Sequence, residues 1–162
     1  MTTRKAQKLM DRGADPNAAF RGPDGERIVG YPLSRIATRN PDPTVIQLLV
    51  DAGADVNAAD SGHVTALQLA AWFNPNIDVI RTLLQAGADP LRSDGNGGRT
   101  VLYLLAGRVD TEPDIVWRVL DAGVPATAMI MGRSVISHAA AHVRDPEVIR
   151  TLMDAGACLV AR

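Results

Sequence analysis

The chain has 162 residues, is 46% hydrophobic and 22% charged, and carries a formal net charge of −1. That balance is ordinary for a soluble globular chain and gives no global attraction to nucleic acid or to an anionic membrane. Aromatics are only 4% and Cys158 is the single cysteine, so an internal disulfide is excluded and the expected core is Ala, Leu, Val and Ile in thin, closely stacked helices.

In chain order, a polar helix is predicted over residues 3–12. Arg4, Lys5, Lys8 and Arg12 make it basic, and it reads as a solvated cap helix. A long loop from Phe20 to Gly30 follows, with a Pro23-Asp24-Gly25 turn. A short helix opens near residue 32. After a turn of one or two residues through Asn40-Pro41, a longer helix is predicted over 43–52. The pair recurs: a short helix near 66, a turn at Asn74-Pro75 and a long helix over 77–86. It recurs near 101, with a turn at Asp110-Thr111 and a helix over 113–122, and again near 135 with a helix over 146–155.

The boundaries of these elements have physical reasons. The long helices run up to Gly13, Gly53, Gly87, Gly123 and Gly156, spaced 40, 34, 36 and 33 residues apart. Glycine suits the left-handed residue that closes a helix. Pro43, Pro113 and Pro146 stand at first helical positions, and Thr2, Asp42, Asn76 and Asp145 are good N-caps, with Glu112 the weak one. Apolar stripes at helical spacing define the core face: Val45, Ile46, Leu49 and Val50; Val79, Ile80, Leu83 and Leu84; Ile115, Val116, Val119 and Leu120; Val148, Ile149, Leu152 and Met153. In the first helix the matching positions are Lys5, Ala6, Leu9 and Met10, half a stripe, as expected of an end helix. Small residues at Ala37, Ala70, Ala71, Ala106, Ala139 and Ala140 let the short helices approach one another.

The period near 33 residues, with the blocks Thr65-Ala66-Leu67-Gln68-Leu69-Ala70-Ala71 and Ala52-Gly53-Ala54-Asp55-Val56-Asn57-Ala58, resembles the ankyrin repeat. The resemblance covers essentially the whole chain and rests on two motifs recurring in register. It implies an all-α repeat fold over residues 1–162. That fold is a solenoid of one N-terminal capping helix plus four helix-turn-helix pairs with β-hairpin fingers, with repeat boundaries near 19, 59, 93 and 129. Fingers and short inner helices would form a concave face. The chain departs from the family in lacking a complete Thr-Pro-Leu-His block, in its short inter-helix turns and in its long first finger.

No catalytic constellation emerges, and neither a metal nor a cofactor is expected. His138 and His142 share a helix face at zinc-like spacing, yet Ala139 stands beside the first histidine where a zincin has glutamate, and no third ligand lies near. Cys158 reads as a small apolar residue. Asp94-Gly95-Asn96-Gly97-Gly98 lacks the further acids of a calcium loop and the lysine of a phosphate loop, and reads as a finger turn.

Recognition is the informative feature. Thr38, Trp72, Gly107 and Ala141 align in one column at the ends of the short helices, and Arg39, Phe73, Arg108 and His142 in the next. The resemblance places both on the concave side. A Trp-Phe pair flanked by arginines reads as an interface hot spot, against the alternative that both rings fold down over core. Arg39 and Arg108 would meet acidic groups of a partner, and the first finger, through Glu26, Arg27 and Ile28, would clasp an edge. Met129-Ile130-Met131, on the fourth finger, reads equally as an adaptable binding surface or as packing. The expected function is a non-enzymatic protein-protein interaction module. Family analogy suggests a small bacterial, cytoplasmic protein, monomeric when free, such as a toxin antagonist or an effector delivered into a host cell. A regulatory or targeting fragment of a larger multidomain enzyme is the alternative.

Overall fold

The computed structural model describes residues 2–95, 98–130 and 132–157. The chain divides into two compact units, Met1–Asp89 and Pro90–Arg162. The first holds α1 (Thr3–Met10), β1 (Phe20–Arg21), β2 (Ile28–Gly30), α2 (Pro32–Arg39), α3 (Pro43–Asp51), α4 (Ala66–Phe73) and α5 (Ile77–Gln85). The second holds α6 (Val101–Ala106), α7 (Pro113–Asp121), β3 (Met129–Ile130), β4 (Arg133–Ser134), α8 (Val135–His142) and α9 (Pro146–Asp154). This is the all-α repeat architecture that the periodicity predicts, and every helix begins at its predicted residue.

Inner and outer helices form separate layers. In the first unit α2 packs on α4, while α1, α3 and α5 pack in series; in the second α6 packs on α8 and α7 on α9. The outer stripes fill the space between the layers. Val45, Ile46, Leu49, Val79, Ile80, Leu83, Ile115, Val116, Val119, Val148 and Leu152 are buried. The fourth member of each stripe lies at its edge: Val50, Leu84 and Leu120 are half-buried and Met153 is exposed. Ala37, Ala70, Ala71, Ala106 and Ala139 are buried as expected, whereas Ala140 faces solvent.

The helix ends follow the cap chemistry, with two corrections. The side chains of Asp42, Asn76 and Asp145 accept from the backbone N–H of Thr44, Asp78 and Glu147, satisfying donors the helix leaves unpaired. Thr2 makes no such bond; the neighbouring Thr3 hydroxyl donates to Asp42 at 2.8 Å and ties α1 to α3. The glycines past the long helices all take φ between +78° and +95°, where a Cβ would strain the chain. The inter-helix turns are longer than predicted. Residues 40–42, 74–76 and 143–145 separate the pairs, since each cap residue stays outside its helix. Residues 107–112 intervene after α6, which stops at Ala106. There Thr111 donates its hydroxyl to the Leu105 carbonyl at 2.6 Å and folds the connector back.

The first finger is the predicted hairpin: β1 and β2 pair antiparallel, Phe20 opposite Gly30. Asp24 shapes its tip, accepting from the backbone N–H groups of Glu26 and Arg27. Those bonds, Arg27 first, hold its carboxyl below the usual carboxylate range. The second finger leans on the first, with Ser61 bonding both the N–H and the carbonyl of Ile28. In the second unit β3 pairs with β4.

Consecutive repeats of the first unit are tied by asparagine amides. Asn17 donates to the Gly53 carbonyl and accepts from the Asp55 N–H; Asn57 repeats both bonds with Gly87 and Asp89. Leu91 and Thr127 hold the corresponding positions in the second unit, and five of the chain's six asparagines lie before residue 90.

Candidate functional site

Trp72 and Phe73 close α4, where the helix has left the apolar stripe that points inward. Trp72 is 44% exposed and Phe73 53%. The two rings stack on each other, centroids 5.0 Å apart and planes within 7°. Adjacent residues on a helix normally point in different directions, so the pair forms one flat aromatic plate on the surface.

The plate stands on a rigid seat. The next residue, Asn74, is buried, and its amide donates to the carbonyls of Ala37 at 2.7 Å and Asn40 at 2.8 Å. Those two residues bracket Thr38 and Arg39 at the end of α2, so one side chain locks the ends of both inner helices together. Asn76 adds a bond to the Pro41 carbonyl. Thr38 is half-buried and spends its hydroxyl on the Ser34 carbonyl at 2.7 Å, which makes it a helix residue more than a contact. Arg39 is exposed.

Nearby chemistry is cationic. Neither α2 nor α4 contains an aspartate or glutamate, while α2 presents Arg35 and Arg39 one turn apart, both exposed. The Arg35 guanidinium sits 5.1 Å from the centroid of the exposed Phe20 ring, a cation–π contact that joins α2 to the first finger. Arg27 is exposed on that finger. Phe20 and Arg35 escaped the sequence reading because single residues outside the aligned columns give no periodic signal.

In the second unit the candidates separate. Arg108 is engaged by its own connector: its Nε and Nη2 reach the two carboxylate oxygens of Asp110 at 2.9 and 2.7 Å. A neighbouring carboxylate therefore occupies the guanidinium fork that the sequence assigns to a partner's acids. Ile130 is only 4% exposed and packs inward, while Met129 is exposed; alternation along a strand sends neighbours to opposite faces. Met131, the third member of that finger, and Cys158 lie outside the described residues.

His142 is exposed, and its Nδ1 lies 2.9 Å from the His138 carbonyl. The two imidazoles are neighbours, centroids 4.6 Å apart, and His138 stacks on Tyr103 at 4.3 Å. The His138 ring is fitted closely: a Cβ on Gly107 would come within 2.7 Å of its Nε2, and its buried Nδ1 has no hydrogen-bond partner. Burial, then the charges of His142 and Arg133, pushes the His138 pKa down. Among the described residues no group of three or more His, Cys, Asp or Glu side chains gathers at one place, and no helix is long and apolar enough to cross a membrane.

Besides Phe20, a second exposed aromatic belongs to neither column. Trp117, on the outer helix α7, is 60% exposed. Its equivalents are Gln7, Gln47, Arg81 and Arg150, a polar column in which a tryptophan answers no packing demand. That contrast was the available sequence signal.

A family model described as ankyrin repeats, in three copies, matches residues 4–94, just over half the chain. No curated protein matches the sequence.

Proposed function

This chain belongs to the ankyrin repeat family, whose repeats are generally protein-protein interaction modules, and we propose that it binds a partner protein on the inner-helix face of residues 1–89. The Trp72–Phe73 plate is the anchor and carries the reading. Two large rings lie open to water on a seat fixed by buried hydrogen bonds, so little conformational freedom is lost when a partner covers them. Exposed tryptophan at the centre of a fixed surface is where binding energy concentrates.

The surroundings define the partner's rim. Arg35 and Arg39, with no carboxylate on either inner helix, favour an apolar contact bordered by acidic side chains. Charges at such a rim steer association and fix register more than they add affinity. We assign no reaction to this face.

The test compares the two exposed tryptophans. A partner isolated on the wild-type chain is titrated calorimetrically against Trp72→Ala and Trp117→Ala. Trp72→Ala should bind at least about thirtyfold more weakly, since a buried aromatic anchor is worth about 2 kcal/mol or more. Its melting temperature should stay at the wild-type value, and Trp117→Ala should bind as the wild type does. A Trp72→Ala chain that melts normally and keeps full affinity would remove this face from the reading.

A further inference from the structure

Trp117 lies over a shallow groove of about 300 Å³ between α7 and α9, lined with Leu120, Asp121, Thr151, Asp154 and Ala155. Asp114 and Arg118 stand on its other side. Three carboxylates against one guanidinium leave the surroundings of the indole net acidic, and Asp114, Asp121 and Asp154 are all exposed. An indole face ringed by carboxylates suits a cation: the ring attracts it over its face while the acids hold it from the side.

The chain supplies a complementary surface of its own. α1 contains Arg4, Lys5 and Lys8, no acid within its length, and only Ala6 buried. Lys5 and Lys8 are the only lysines in the sequence. Leu9, 39% exposed on the same helix, offers an apolar contact beside them. Lys5, Lys8 and Trp117 are all exposed.

We propose that the groove of one copy receives the basic helix α1 of a second copy, with Lys5 or Lys8 over the Trp117 indole and Asp121 and Asp154 beside it. The two surfaces differ, so the contact is heterologous, and a joined pair keeps one unused groove, on the copy that gives its α1, and one unused α1, on the copy that receives it, for further copies. It involves neither Trp72 nor Phe73 and stands or fails apart from partner binding on the inner helices.

The experiment is sedimentation velocity on the full chain over a range of concentrations. Average mass should rise with concentration at low salt and fall back towards the monomer above about 0.3 M, where screening cuts exposed charge pairs off. The double substitution Lys5→Glu/Lys8→Glu and the single substitution Trp117→Ala should each weaken association at least about tenfold. Mixed, they should form a 1:1 dimer and nothing larger, because one retains a sound groove and the other a sound α1. Asp121→Lys replaces Trp117→Ala should the latter lose its native circular dichroism. Zero-length carbodiimide coupling of mixed light and heavy-isotope chains should link Lys5 or Lys8 of one copy to Asp121 or Asp154 of another. A wild-type chain that stays monomeric at low salt gives the groove another occupant and overturns the proposal. So does self-association that both substitutions leave intact.

Discussion

The side-chain amide of Asn74 donates to the main-chain carbonyl of Asn40 at 2.8 Å, across 34 residues of sequence. Its second proton goes to the Ala37 carbonyl. Both residues at the ends of the Asn40 bond are buried, so no water stands ready to replace the amide. Asn74→Ala should therefore destabilise the chain by about 2–4 kcal/mol in urea unfolding, the cost of leaving two buried carbonyls unmet. A loss under about 1 kcal/mol would mean that the carbonyls find other donors.

Amide exchange offers a finer view of the repeat junctions. The Asp89 N–H lies in a connecting segment but donates to Asn57 Oδ1 at 2.8 Å, as that of Asp55 does to Asn17 at 2.7 Å. Asn57→Ala should speed exchange at Asp89 by about tenfold while Asp55 keeps its protection. Equal loss at both sites would mean global loosening, not a local bond.

Burial along the outer stripes separates substitutions that look alike in sequence. Leu83 is fully buried and Met153 is exposed. Leu83→Ala should cost about 2–5 kcal/mol and Met153→Ala less than about 0.5 kcal/mol. Chemical denaturation of the two variants measures this directly, and comparable losses would contradict the core face described here.

Acid should weaken the second unit through His138. Its folded pKa lies below the ordinary 6.5, so the native state holds the ring neutral while the unfolded chain takes up a proton near 6.5. The contribution is fully present above that value and is lost as pH falls from about 6.5 through the folded pKa. His138→Phe, which can keep a ring against Tyr103, should flatten the dependence of melting temperature on pH between about 7.5 and 5.5. Proton NMR of the His138 ring checks the premise; a midpoint at or above 6.5 would refute it.

Much of the fold was legible because local chemistry repeats. Glycine after every long helix, proline at the first position of α3, α7 and α9, and a capping acceptor before α3, α5 and α9 mark the helix ends, and the stripes mark the inner side. The exceptions are instructive. Thr2 satisfies the N-cap pattern in composition, but capping is a matter of rotamer, and Thr3 makes the structural bond. The Arg108–Asp110 pair hid because two residues in a connector meet only when α6 stops at Ala106. The exposure of Trp72 and Phe73 followed from their columns, whereas their mutual stacking depends on side-chain torsions that no column records. Ile130 and Met129 were indistinguishable by composition and were separated by strand alternation alone.

The amide ties at Asn17, Asn57 and Asn74 have a consequence for how such a chain tolerates change. Each grips main-chain atoms, a carbonyl or an N–H, and none of these bonds requires a particular side chain on the neighbouring repeat. Cohesion between those repeats is thus indifferent to what the neighbour displays outward. Substitutions at Arg35, Arg39, Trp72 or Phe73 leave every one of these bonds in place. Selection can redraw the displayed surface repeatedly, trading one partner for another, while the same few asparagines keep the repeats in register.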